Sequence, residues 1–320
     1  MSEKNFSKFN QQVQQHFADQ TYTEGLSLTS KHLTEYPEHF ALVNYWRICM
    51  AAQINEFPLA NKIFESTLAS GIWYAEFLMR QSPSLEGIQG DPEFERLVEI
   101  SLRMAAADPP EKEITLVARP EDACGPGQDG CQTLIFLHGD TDTARRTIEQ
   151  LVELPGKGWL VGLPQSEYVL WTDGYSWADH QSGIEQVNTR YAKLKEEYSI
   201  DPARTVLGGY SMGAEVALAA ALSGTVEAAG FICLGLAGPN TTDPDQWSEL
   251  INQARGKALR GVLFLGEEDF SMPLENVELV VEKLNQAGIE TKLIAMPGVS
   301  HVYPENFDAL LDQAFEFIFG

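Results

Sequence analysis

The stretch Val206-Leu207-Gly208-Gly209-Tyr210-Ser211-Met212-Gly213 decides the fold. An apolar run suited to a buried strand enters the pattern G-x-S-x-G, and an alanine-rich run suited to a helix begins near Ala214. Small residues at 209 and 213 let the chain turn sharply from strand to helix. Ser211 is therefore expected at the tip of the turn, its hydroxyl exposed and a helix N-terminus behind it. The plainer reading of the same letters is a strand-turn-helix junction carrying an incidental serine.

Outward from this stretch, apolar runs at 113–118, 133–137, 159–163, 205–209, 230–235, 261–265 and 291–296 read as strands. Helical patterns lie between them at 142–154, 178–198, 212–223, 246–257, 275–287 and 304–318. Near-continuous apolar strands indicate a sheet buried on both faces, and helical crossovers make it mostly parallel. The fold class is α/β, a mostly parallel sheet flanked by helices, with reactive groups expected at the carboxyl ends of the strands.

Residues 1–107 have a different texture, with helical periodicities and no convincing strand. Asp108-Pro109-Pro110 marks the change, because a proline pair neither continues a helix nor donates to a sheet. Two domains follow: an all-α domain over 1–108 and an α/β domain over 112–320. Within the first, 22–36 and 57–71 superpose at an offset of 35 residues, pairing Tyr22 with Phe57, Gly25 with Ala60, Leu28 with Ile63 and Leu33 with Leu68. Each segment is read as following a shorter helix, and the pattern resembles the tetratricopeptide type of helical repeat. Asp91-Pro92 reads as the cap and first position of a further helix.

The chain has 46 Asp and Glu against 22 Lys and Arg, a net charge of −24. Such a deficit repels polyanions and anionic lipid, so no nucleic-acid partner is expected. Residues 1–110 hold 14 acids against 8 bases, so most of the negative charge falls on the α/β region, where it disfavours strongly anionic substrates. No apolar run approaches the ~18 to 20 residues of a membrane span, and with no basic-apolar leader a cytoplasmic location is expected. In that reducing compartment Cys124 and Cys131 are expected to be free thiols. Neither zinc spacing nor H-E-x-x-H occurs, so no metal and no cofactor are expected.

A serine hydroxyl needs a base, and that base needs a carboxylate. Of six histidines, His16, His32 and His39 fall in the helical region and are read as surface residues. His138 is read as organising its loop, and His180 opens a helix. His301, between the last strand and the last helix, is the expected base. Strand 261–265 runs into Gly266-Glu267-Glu268-Asp269, and the reach from the strand end favours Asp269 as its partner. Glu268 is the reserve, Asp243 and Asp245 are remote candidates, and the glutamates otherwise form a solvated acidic loop. An oxyanion would be held by the backbone N–H of Met212 and by that of Asp140, with Thr141 as the neighbouring alternative.

The order Ser211, Asp269, His301, with the His138-Gly139 loop and the turn at Ser211, resembles the α/β-hydrolase superfamily over 112–320. It is most similar to the small serine esterases of the phospholipase/carboxylesterase and dienelactone-hydrolase-like group. The resemblance implies a serine hydrolase of esters or thioesters working through an acyl-enzyme on Ser211. A peptidase or amidase on the same fold, or a non-catalytic interaction protein using the helical domain, are the alternatives. Two departures matter. Dienelactone hydrolases use cysteine where Ser211 stands, and HGDT replaces the His-Gly-Gly-Gly run of some lipases.

The expected partners are a small-molecule ester and a protein bound by the helical domain. In 164–180, Tyr168, Trp171, Tyr175 and Trp177 read either as an apolar wall for the substrate or as packing of the loop onto the sheet. The segment 236–246 is too short for a large cap, so the helical domain is expected to narrow access to Ser211 instead.

Overall fold

The computed structural model describes residues 3–107, 109, 114–121 and 123–320. The chain divides into two compact units, Met1–Glu111 with Val169–Gly174, and Lys112–Tyr168 with Tyr175–Gly320. Asp108 and Pro110 of the expected linker, and Glu113 of the first expected strand, lie outside the described residues.

The first unit contains α1 (Glu3–Ala18), α2 (Tyr22–His32), α3 (Phe40–Gln53), α4 (Phe57–Ala69), α5 (Glu76–Gln81) and α6 (Pro92–Ala107). Successive helices α1 to α4 pack on one another, and α6 returns onto α4. The two segments offset by 35 residues are α2 and α4, but α1 and α3, which precede them, are longer rather than shorter. Gly25 marks a close helix approach, because a Cβ there would come within 2.6 Å of Met50 and 2.9 Å of His16. Asp91 caps α6 through the N–H groups of Glu93 and Phe94. His16, His32 and His39 are half-buried surface residues of this unit, and the His39 ring stacks on Phe6 at 3.4 Å. Within this unit Leu170 accepts a hydrogen bond from the N–H of Ala75, and the Trp171 ring packs on Tyr74 and Tyr45.

The second unit is built on a seven-stranded sheet of order β1-β3-β2-β6-β7-β8-β9. Its strands are β1 (Thr115–Ala118), β2 (Cys131–Leu137), β3 (Leu160–Pro164), β6 (Ile200–Tyr210), β7 (Gly230–Leu234), β8 (Arg260–Gly266) and β9 (Glu290–Met296). β1 runs antiparallel to β3 and all other pairs are parallel. One face is covered by α8 (His180–Glu197), α9 (Met212–Ser223), α11 (Ser248–Gln253) and α12 (Leu274–Gln286). The other is covered by α7 (Ala144–Ile148) and α13 (Phe307–Phe319), while α10 (Pro239–Thr242) fills the short connection after β7. The chain winds away from β2 in both directions, so the switch point that opens a crevice in such sheets lies between β2 and β6.

Two expectations change in form. The helix expected over 142–154 ends at Ile148, because its apolar spacing at 148, 151 and 154 is met by successive three-residue turns: Leu151 bonds to Ile148, and Leu154 to Leu151. The aromatic segment after β3 is a hairpin, β4 (Tyr168–Trp171) and β5 (Gly174–Ser176), turning at Thr172-Asp173 with Asp173 at φ 57°. Asp173-Gly174 is a hairpin signal readable in the sequence.

The free-thiol reading of Cys124 and Cys131 is overturned, for the two form a disulfide with Cα atoms 5.4 Å apart. Ser199 explains the proximity. Its N–H donates to the Cys124 carbonyl and its carbonyl accepts from the Cys131 N–H, so one residue pins both ends of the loop. Cys49 and Cys233 are free and buried. Denatured, unreduced protein should therefore titrate two thiols, and four would exclude the bond. Closing so short a loop stabilises by about 2.5 kcal/mol on the chain-entropy model. Replacing both cysteines by serine should lower the melting temperature by about 5 to 10 °C in scanning calorimetry.

Candidate active site

Parallel strands bring their carboxyl ends to one edge, where the loops after β2, β6, β7, β8 and β9 meet. The turn from β6 to α9 is the tightest of them. Ser211 lies at φ 55° and ψ −125°, a conformation that costs a non-glycine residue roughly 1 to 3 kcal/mol. The Ser211 N–H donates to the Leu234 carbonyl at 2.9 Å, and its own carbonyl accepts the first helical bond from Ala214 at 3.0 Å. A Cβ on Gly209 would come within 2.5 Å of the Gly213 backbone, and one on Gly213 within 2.2 Å of the His138 carbonyl oxygen. Glycine at both positions is thus a requirement of close backbone approach.

The imidazole of His301 stands between the other two groups, with Nε2 2.9 Å from Ser211 Oγ and Nδ1 2.7 Å from Asp269 Oδ2. A carboxylate accepts only, so Nδ1 carries the proton and Nε2 presents a lone pair to the serine hydroxyl. Asp269 is placed by its neighbours: its Oδ1 accepts from the Ser271 N–H at 2.8 Å. The Glu267 and Glu268 N–H groups donate to the carbonyls of Met296 and Val299, lacing the acid's loop to the histidine's loop. Gly266 permits this, since a Cβ there would lie 2.1 Å from the Val299 oxygen. Both glutamates are exposed. Asp243 caps the following turn and Asp245 pairs with Lys283 at 2.7 Å, so neither remote candidate faces His301.

His138 is fully buried and holds its loop together. Nδ1 donates to the Gly139 carbonyl, while Nε2 accepts from the Gln165 amide and the Ser166 N–H. Burial pushes its pKa down to about 4, with the Gly139 carbonyl opposing part of the shift. The loop lies against the serine, for a Cβ on Gly139 would be 3.6 Å from Ser211 Cβ. Asp140 is the next residue along that loop. Its side chain remains in contact with solvent, yet enough protein surrounds the carboxyl to raise its pKa, opposed by Ser176 and the Thr141 N–H. Thr141 takes φ 62°.

The four aromatic residues named from the sequence have different surroundings. Trp177 is core: 1% exposed, it donates from Nε1 to the His138 carbonyl. Trp171 belongs to the helical unit, whereas Tyr175 is half-buried with its ring 6.4 Å from that of His138. Tyr168 and Trp177 line a cavity of about 120 Å³ with Ser166, Ser176, Ser182 and Gln186. Far below the roughly 300 Å³ of small ligand sites, it is too small for an acyl chain.

Sequence reasoning missed Glu215. This fully buried carboxylate, one turn into α9, accepts from the Asn240 and Thr241 N–H groups and the Thr241 hydroxyl, clamping the loop after β7. Its signal was a lone charge in an alanine-rich helix. His180 lies 3.3 Å from it, not at the serine. Among the described residues no group of three or more His, Cys, Asp or Glu could hold a metal ion, and no helix is long and apolar enough to cross a membrane.

The family described as phospholipase/carboxylesterase matches residues 124–318. No curated protein matches the chain. Among solved structures, an uncharacterized protein from Bacillus cereus ATCC 10987 is similar over 97% of this chain and 98% of its own, at 22% identity and a TM-score of 0.54. Esterase PE8 is similar over 63% of this chain and 96% of its own, at 20% identity and a TM-score of 0.50. Est1E from Butyrivibrio proteoclasticus, solved with ferulic acid bound, is similar over 64% and 93%, at 14% identity and a TM-score of 0.50. At these identities the likeness is one of fold.

His138 should stay neutral well below the usual histidine range. Folding then costs more as pH falls from about 6.5 toward 4, because the unfolded chain binds a proton there that the folded site refuses. Imidazole ¹⁵N shifts should show His138 as the Nδ1–H tautomer down to about pH 5. A protonated ring at pH 6 would contradict the assignment.

Proposed function

The chain belongs to the phospholipase/carboxylesterase family, and on that premise we propose that it is a serine hydrolase cleaving a carboxylic ester or thioester through an acyl-enzyme on Ser211. The observation that carries the reading is the hydrogen-bonded series Ser211, His301, Asp269, each member on a different loop at one edge of the sheet. Ser211 Oγ attacks the carbonyl carbon as His301 Nε2 takes its proton. The negative charge moves to the carbonyl oxygen, where the N–H groups of Met212 and Asp140 hold it. His301 then passes the proton to the departing alcohol or thiol, leaving the acyl group on Ser211. Water repeats the sequence in reverse order, with His301 as base, and releases the acid. Asp269 keeps the imidazole in the Nδ1–H tautomer, so that the Nε2 lone pair faces Ser211 Oγ.

The helical unit is read as a tetratricopeptide-like module for a protein partner, on the strength of α2 and α4 and the close approach at Gly25. The cytoplasmic location expected from the sequence stands against the Cys124–Cys131 bond, which favours an oxidising compartment.

Ser211→Ala should abolish both turnover of short p-nitrophenyl esters and labelling by a fluorophosphonate probe; labelling at the wild-type level would refute the role of Ser211. Asp269→Asn should lower kcat by about 10³- to 10⁴-fold through the wrong tautomer. Glu268→Gln, on the solvated side of the same loop, should leave kcat within about twofold, the usual outcome for a surface substitution.

A further inference from the structure

His301 lies on a loop, with neither strand nor helix to hold its ring, yet its series of hydrogen bonds tolerates little displacement. The residue that precedes Ser211 supplies what the loop lacks. The Tyr210 hydroxyl donates to the His301 carbonyl at 2.8 Å. Its ring stacks on the imidazole, centroids 4.9 Å apart and planes 30° from parallel, and packs against Tyr303 at 4.6 Å. Two glycines make the slot: a Cβ on Gly139 would lie 2.7 Å from Tyr210 Cδ1, and one on Gly235 would lie 3.4 Å from Tyr210 Cε2 and 3.1 Å from the imidazole.

We propose that Tyr210 is a positioning residue for His301, acting through its hydroxyl on the loop backbone and through its ring face on the imidazole. The proposal rests on the reading of Ser211 and His301 as nucleophile and base. Plain core packing would be served as well by phenylalanine, and a part-buried hydroxyl is costly unless it is bonded. Here that bond is made to the base residue itself. The electron-rich ring face also favours the imidazolium that forms when Ser211 gives up its proton. Because Tyr210 and Ser211 are consecutive, the backbone that sets the nucleophile also carries the brace for the base.

The test compares the purified full chain with its Tyr210→Phe and Tyr210→Leu variants in p-nitrophenyl ester turnover and fluorophosphonate labelling across pH. Tyr210→Phe keeps the ring and loses one hydrogen bond, so kcat and the labelling rate should fall about 5- to 10-fold with KM within about twofold. Tyr210→Leu, which removes the ring as well as the hydroxyl, should lower kcat and the labelling rate further, by about 10-fold or more, again with KM within about twofold. A Tyr210→Phe enzyme with wild-type kcat and labelling rate would overturn the proposal. Should the leucine variant fail to fold, the phenylalanine variant decides alone. If Ser211→Ala still reacts like wild type, the serine-hydrolase reading falls. If Ser211→Ala is dead and Tyr210→Phe is unimpaired, only the positioning role falls.

Discussion

A serine held at φ 55° is the constraint on which the site depends. No side chain of that type adopts this conformation without compensation, and the compensation is backbone contact. Gly209 touches Gly213, Gly213 touches the His138 carbonyl, and the Ser211 N–H reaches over to Leu234 on the adjacent strand. Each contact requires β2, β6 and β7 to be in register, so the strained turn is stable only as part of the finished sheet. The strain in turn keeps the hydroxyl clear of the helix that follows, where a base on another loop can meet it.

The partners of Ser211 are joined by backbone hydrogen bonds between their loops. The loop after β8 is laced to the loop after β9 through Glu267 with Met296 and Glu268 with Val299. Those bonds turn two flexible connections into one body, so that Asp269 and His301 are placed together. His138, its pKa lowered by burial, acts as a neutral connector of three loop groups. Burial enforces that division of labour, since desolvation disfavours its charged form while His301 has a carboxylate beside it.

Glu215 shows the same economy inside an otherwise apolar helix. A buried carboxylate is tolerable only when its oxygens are satisfied, and Asn240 and Thr241 satisfy them from the connection after β7. Gly238 allows the approach, as a Cβ there would lie 2.6 Å from the carboxyl carbon. The connection too short for a cap is thereby fastened to the helix that begins at Met212.

Local patterns alone determined the seven strands, the long helices and the turn at Ser211, because apolar periodicity and glycine at fixed offsets depend only on neighbouring residues. That Asp269 and His301 would meet was also legible, from their distance past a strand end. Pairings between residues far apart in the chain were not. The Cys124–Cys131 bond followed from Ser199, some seventy residues away; the core position of Trp177 from the His138 carbonyl; and the clamp at Glu215 from a loop beyond the next strand. An aromatic residue reads the same whether it lines a pocket or fills a core. Only the tertiary structure decides between them, because burial and hydrogen-bond partners are properties of the assembled sheet and its loops, not of any segment.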